Sequence, residues 1–189
     1  MSLLPLGLLS QGGGAGGGGT FEQIATTVLT ATTNTITFSS IPATYKHLQL
    51  RMVSKTTDAS ASGYLFLRYN SDSAANYSYH YLLGTGASVQ AAGASGSTFA
   101  GLIFINGNSV NASAFAPNIL DILDYADSNK FKTSQLFGGR ANGGTGANQV
   151  HLESANWRST SAITSINLLF GDGTNLSIGS RFTLYGIKG

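Results

Sequence analysis

The amino-acid sequence predicts an all-β protein, a single antiparallel β-sandwich of jelly-roll-like architecture. Apolar and polar residues alternate with period two in many short segments, as they do in half-buried strands. Turn sequences rich in Gly and Asn recur about every 8 to 12 residues, which is typical of sandwiches and barrels. Only 10% of the residues are charged, so the surface must consist largely of Ser, Thr, Asn, Gln and Gly.

The stretch 35–54 shows the strand pattern most clearly. In its second half Leu48, Leu50 and Met52 fall on one face of an extended chain, and the first half alternates in the same way. Pro42 lies between the halves, has no N–H to donate to a ladder, and biases the preceding residue towards extended geometry. We therefore predict two half-buried strands joined by a corner around Pro42.

Nine further strands and one long loop are predicted from the same signals. The segments 64–70 and 77–83 are rich in aromatic residues and are expected to pair as a hairpin. Residues 84–97 are small and uncharged and are predicted to form an exposed loop. The segment 115–125 has some apolar residues at helical spacing, but Pro117 and its β neighbours favour a strand. The other predicted strands are 21–30, 98–105, 130–137, 149–156, 163–171 and 181–188.

Residues 1–19 are predicted to be an extended arm, separate from a β-sandwich domain formed by residues 20–189. The first eleven residues are apolar but shorter than the roughly 18 that a membrane span needs, and they lack the basic start of a secretory signal. The glycine run 12–19 has no Lys-Ser/Thr after it, so a phosphate loop is disfavoured and a tether is preferred. We expect the leucines of the arm to anchor it in a groove on a neighbouring subunit: Leu3, Leu4, Leu6, Leu8 and Leu9.

No catalytic, cofactor-binding or metal-binding motif is present in the sequence. Cysteine is absent, which excludes disulfides and thiolate chemistry. His47, His80 and His151 lie within predicted strands, and none belongs to a recognisable metal or general-base motif. Each is therefore interpreted as a structural or interface histidine, and no cofactor is expected.

One acidic cluster, in DILDYADSN, has oxygen ligands of the kind that Ca²⁺ prefers: Asp121, Asp124, Asp127 and Asn129. Its spacing does not match a calcium-binding loop of the EF-hand type. We therefore favour solvated turn residues, with Asp127 or Asn129 making an Asx turn before Lys130, and keep a calcium site as the open alternative.

Aromatic residues suggest a contact surface. Alternation places Tyr77, Tyr79 and Tyr81 on one face of a strand, and Trp157 with Arg158 offers another flat group. Sugars bind by stacking on such rings, so a glycan site is one interpretation. A subunit interface or a core position accounts for the same pattern and is favoured.

Several long phrases of this sequence resemble a family of small proteins encoded by tailed bacteriophages of aquatic bacteria. They are FSSIPATYKHLQLR, NYSYHYLLG, DYADSNKFKT, WRSTSAITSI and the final FTLYGIKG. The resemblance runs along nearly the whole chain and implies a virion structural protein, either a capsid-surface decoration or a tail-fibre-like component. It also suggests a homotrimer. From the leucine arm we expect contact with other virion proteins through residues 1–19, and from the aromatic residues a host glycan is a further possible partner.

Charge and composition agree with that class without depending on it. The formal net charge is only +2 and the basic residues are dispersed, so no nucleic-acid partner is expected. No membrane partner is expected either. A compact domain on one short tether, without coiled-coil heptads, favours a knob on the capsid shell over a long tail shaft.

Overall fold

The computed structural model describes residues 20–141, 148–170 and 174–189, and in these ranges the chain is all-β. The predicted arm 1–19, with its anchoring leucines, lies outside the described residues. The strands are β1 Phe21–Val28, β2 Thr35–Phe38, β3 His47–Ser54, β4 Ser62–Tyr69, β5 Tyr77–Gly84, β6 Val89–Ser97, β7 Leu102–Asn106, β8 Ala116–Leu123, β9 Lys132–Arg140, β10 Gln149–Trp157, β11 Ile166–Leu169 and β12 Arg181–Ile187.

The strands form two antiparallel sheets packed face to face, which confirms the predicted sandwich. The large sheet has eight strands in the order β1-β12-β3-β8-β9-β10-β5-β6, and the small sheet has four in the order β2-β11-β4-β7. The chain passes back and forth between the sheets, as in jelly-roll folds. The small sheet packs on one face of the large sheet and leaves the other face to solvent.

The core lies between the two sheets and is built by the alternation seen in the sequence. Leu48, Leu50 and Met52 of β3 point into it, as predicted. The corner around Pro42 carries the chain from β2 in the small sheet to β3 in the large sheet. Ser40 turns there with a φ of 56°, in the left-handed region.

The predicted hairpin of segments 64–70 and 77–83 is wrong. β4 pairs with β7 and β11 in the small sheet, whereas β5 pairs with β6 and β10 in the large sheet. Asn70 and Ser71 adopt positive φ values of 52° and 56° and redirect the chain across the sandwich. The aromatic content predicted the strands correctly but not their partners.

The predicted exposed loop at residues 84–97 is also wrong over most of its length. Val89–Ser97 is strand β6, which pairs with β5 at the edge of the large sheet. Its Ala, Gly and Ser residues bury little side-chain area, so backbone hydrogen bonds hold the strand. Small size is required at Gly93, where a Cβ would lie 2.5 Å from the carbonyl oxygen of Tyr79. The segment 115–125 contains strand β8, as favoured.

Candidate functional site

The solvent-facing side of the large sheet carries a continuous row of apolar side chains. Leu152 of β10 is directly paired with Leu82 of β5 on one side and with Phe137 of β9 on the other, and Phe137 is paired with Ile119 of β8. Val150 lies on the same face, two residues from Leu152. These five side chains, which we call the apolar strip, are each between 38% and 55% exposed.

Strand periodicity creates the strip, because these strands have apolar residues on both faces. In β9, Leu136 is buried against the small sheet while Phe137 points outwards. In β8, Leu120 and Ile122 are buried while Ile119 faces solvent. In the same strands a purely structural sheet would place polar residues at the outward positions.

A row of polar side chains runs parallel to the apolar strip. Register places His80, Ser154, Gln135 and Asp121 side by side across four strands, in the next outward row. We call these four residues the polar row. Together with Leu82, Phe137 and Leu152 of the strip and with residues 91–93 of β6, they line an open depression of about 760 Å³. The polar row offers hydrogen-bond donors and acceptors beside an apolar floor, which is a surface suited to binding.

The Asp121 end of the polar row is held in place by neighbouring side chains. The Nε2 atom of Gln49 donates a hydrogen bond to Oδ1 of Asp121 at 2.8 Å. Arg51 in turn donates from Nε to Oε1 of Gln49 at 2.7 Å and lies over the ring of Tyr185 at 5.3 Å. The geometry of this end therefore does not depend on a bound ligand.

A second polar group lies on the inner face of β10 and was missed in the sequence. The Nε2 atom of His151 is 3.6 Å from Oε2 of Glu153, and the two side chains are only 1% and 4% exposed. Burial raises the pKa of Glu153 above its ordinary value of 4.5, although His151 and the backbone N–H of Leu102 oppose that effect. The signal was available, because residues two apart in a strand share a face. The pair is enclosed between the sheets, so its influence is on folding.

The aromatic residues predicted as contacts are not brought together on one surface. Tyr77 and Trp157 are buried in the core, where their rings stack at 6.2 Å. The Nε1 atom of Trp157 donates to Oδ2 of Asp72 at 2.7 Å. For these two residues the structure supports the core interpretation, and neither ring is open to a glycan or a partner.

Tyr79 and Tyr81 are half-buried on the inner side of β5 and stack on one another at 6.5 Å. They belong to an aromatic cluster with Phe99 and Phe104 beside the edge of the small sheet. Arg158 is exposed and donates a hydrogen bond to the carbonyl oxygen of Ala75. None of the three lines the apolar strip.

The residues of the acidic cluster pair with lysines or form a turn. The carboxylate of Asp124 lies 3.0 Å from Nζ of Lys46 and 2.7 Å from Nζ of Lys130, and hydrogen bonds from these lysines lower the pKa of Asp124 to about 2. Oδ1 of Asp127 accepts the backbone N–H of Asn129 at 2.8 Å, which confirms the predicted Asx turn. In the described part of the chain, no three His, Cys, Asp or Glu side chains are grouped as metal ligands.

The three histidines have different surroundings. Nδ1 of His47 accepts the backbone N–H of Asp124 at 2.9 Å, which satisfies the structural role expected for it. His80 is exposed in the polar row, and His151 is buried beside Glu153. Among the three, His80 lies in the polar row, where a bound partner would contact it.

Comparison of the chain with protein-family models, with curated proteins and with solved structures finds no match. Within residues 20–141, 148–170 and 174–189, no helix has the length and hydropathy needed to cross a membrane.

Proposed function

We propose that this chain is a non-enzymatic structural protein of a tailed-phage virion, a trimeric decoration subunit on the capsid surface. The observation that carries the proposal is the apolar strip, which exposes five large apolar side chains in one uninterrupted patch. Soluble monomers rarely leave such patches uncovered, and continuous ones usually mark interaction sites. The proposed role of the large sheet is therefore contact with a neighbouring subunit of the particle.

The composition and the resemblance to phage proteins support the virion as the place of assembly. Only 10% of the residues are charged, which is a low share. A surface with few charges has a small desolvation cost when it packs against neighbouring subunits. The arm 1–19 is proposed to anchor the domain to a neighbouring subunit of the particle. The proposal includes no cofactor, no nucleic acid and no membrane.

A tail-fibre tip that binds a host glycan is the second candidate, and the depression beside the apolar strip favours it. Phe137 supplies an exposed ring, and Gln135 and Asp121 supply polar groups within the same depression. Sugar sites commonly combine an aromatic platform with side chains that bind hydroxyl groups. The glycan contacts would then lie on the outward face of the large sheet, and of the tyrosines predicted from sequence Tyr81 alone lines this depression.

Quantitative mass spectrometry on purified virions, calibrated against the major capsid protein, tests the proposal. A copy number of the same order as that of the capsid protein is expected for a shell decoration. Far fewer copies would place the protein on the tail and favour the glycan-binding candidate. Absence from washed particles would contradict both candidates.

A further inference from the structure

We propose that the leucine peptide of residues 3–9 from one copy of the chain docks on the apolar strip of a second copy. This inference rests on the proposed function, in which residues 1–19 join the protein to a neighbour, and it identifies that neighbour as another copy of the same chain. Three properties point to this occupant: the size of the strip, the spacing of the leucines and the length of the linker.

The apolar strip has the size of a short peptide. Leu82 and Ile119 mark its ends, three strand spacings apart, which is about 14 Å. With the adjacent row that contains Val150, the exposed area of its five side chains is still below the roughly 800 Å² that a stable globular interface takes from each partner. A narrow extended segment can cover the strip, but two globular faces meeting there would bury mostly polar surface.

The leucines have the spacing that the strip requires. In an extended chain Leu4, Leu6 and Leu8 share one face, and three alternate residues span about 14 Å. Residues 1–11 contain no Asp, Glu, Lys or Arg, so no side-chain charge would be buried on docking. The polar row, with Gln135 and Ser154 next to the strip, offers partners for the backbone amides of such a peptide.

The linker favours a second copy over the same chain. The peptide is joined to Thr20 by residues 10–19, which span at most about 35 Å when extended and about 17 Å as a flexible coil. β1 is the far edge of the large sheet, and Phe21 lies in the row that contains Leu123, at the end of the sheet away from Ile119. Reaching the strip of the same chain takes roughly 25 Å and a reversal of direction, so a neighbouring copy is the easier receiver.

Disulfide trapping between full-length chains tests this directly, because the protein has no cysteine of its own. A Leu6→Cys chain is mixed with a Phe137→Cys chain and oxidised, and the linked peptides are identified by mass spectrometry. The matched control is Phe131→Cys, a phenylalanine of nearly equal exposure, 52% against 55%, that lies outside the strip. We expect a Leu6–Phe137 cross-link between chains and none to residue 131. Equal trapping at residues 131 and 137, or no trapping at 137, would overturn the proposal.

Native mass spectrometry of assembly provides a second measurement. We expect loss of the oligomer from Phe137→Asp, and equally from the triple change Leu4→Ser, Leu6→Ser and Leu8→Ser. Combining the two sets of changes should have no further effect, because each set removes the same contact. Phe131→Asp should leave the oligomer unchanged. An oligomer that survives Phe137→Asp or the triple leucine change would contradict the docking.

The two proposals fail in different experiments. If the protein is abundant in virions but Leu6 does not cross-link to Phe137, the docking is wrong and the virion role stands. If the cross-link forms but the protein is absent from virions, the docking stands and the virion role is wrong.

Discussion

Glu153 and Leu102 connect the two sheets of the sandwich through a hydrogen bond between a buried carboxyl group and an edge strand. Oε2 of Glu153 in β10 accepts the backbone N–H of Leu102 at 3.2 Å, and Leu102 begins β7, an edge of the small sheet. Asn118 of β8 acts on the same strand, donating from Nδ2 to the carbonyl oxygen of Phe104 at 3.1 Å. Side chains of the large sheet thus satisfy the free backbone groups of β7 and protect that edge from pairing with other chains.

Gly101→Ala should destabilise the fold, because the Glu153 carboxylate occupies the space that a side chain would need. A Cβ on residue 101 would lie 1.6 Å from Oε1 of Glu153, and φ at this glycine is 151°. Forcing the two apart should cost about 1–3 kcal/mol in the free energy of unfolding, measured by urea denaturation. Gly84→Ala is the control, since nothing lies within 4 Å of a Cβ there, and its effect should stay within about 0.5 kcal/mol. Equal losses in the two variants would contradict the explanation.

Glu153 should make the fold less stable as the pH rises. Its pKa is raised above 4.5 in the folded state by burial, so folding favours the protonated carboxyl. The contribution is therefore complete below pH 4.5 and is lost as the pH rises through the raised pKa. The difference in free energy of unfolding between the natural chain and Glu153→Gln, measured by urea denaturation from pH 4 to 8, should fall over that window. A difference that grows with pH would show that ionisation of Glu153 stabilises the fold.

The fold could be predicted from the sequence wherever one face of a strand is polar. β3 alternates buried Leu48 and Leu50 with half-buried His47 and Gln49, so both the strand and its inner face were evident. β6 could not be found in this way, because its Ala, Gly and Ser residues show no alternation and it is held by backbone pairing with β5. The sheet to which β4 and β5 belong depends on the turn at Asn70, which composition does not encode.

The apolar strip could not be predicted from the local pattern, because the strands that carry it have apolar residues on both faces. Leu136 and Phe137 are neighbours of similar hydropathy, and the sequence does not say which of them faces the core. That distinction depends on which face of the large sheet packs against the small sheet. The aromatic residues left two interpretations open in the sequence, because Tyr77 and Trp157 are apolar enough to be core residues and polar enough to suggest contacts, and the structure supports the favoured core position.

Lys132 should be far more important for stability than Lys130, although the two differ by only two positions. Lys132 is fully buried, and its Nζ donates to the carbonyl oxygens of Asp127, Lys130 and Thr160 at 2.5, 2.7 and 3.0 Å. Lys132→Met leaves these acceptors without a donor and should cost about 1–3 kcal/mol, measured by urea denaturation.

Lys130→Met is the matched control for that change. Its side chain is 56% exposed and pairs with Asp124 and Asp127 in solvent, so the loss should be much smaller than that of Lys132→Met. If the two methionine variants prove equally stable, the buried carbonyl contacts of Lys132 contribute nothing net.

Asp124 should make the fold sensitive to acid. Hydrogen bonds from Lys130 and Lys46 lower its pKa to about 2, from an ordinary value of 3.8. A lowered pKa stabilises the fold above pH 3.8, and that contribution is lost as the pH falls towards 2. The urea midpoint of the natural chain should therefore drop more steeply between pH 4 and pH 2 than that of Asp124→Asn. Asparagine suits the control because it tolerates the φ of 46° found at this residue, so the turn itself is kept.

The difference in pH dependence between the natural chain and Asp124→Asn should shrink in 1 M salt, where charges are screened beyond about 3 Å. Equal pH profiles of the two proteins in low salt would rule out the ion pairs of Asp124 as the source of the acid sensitivity.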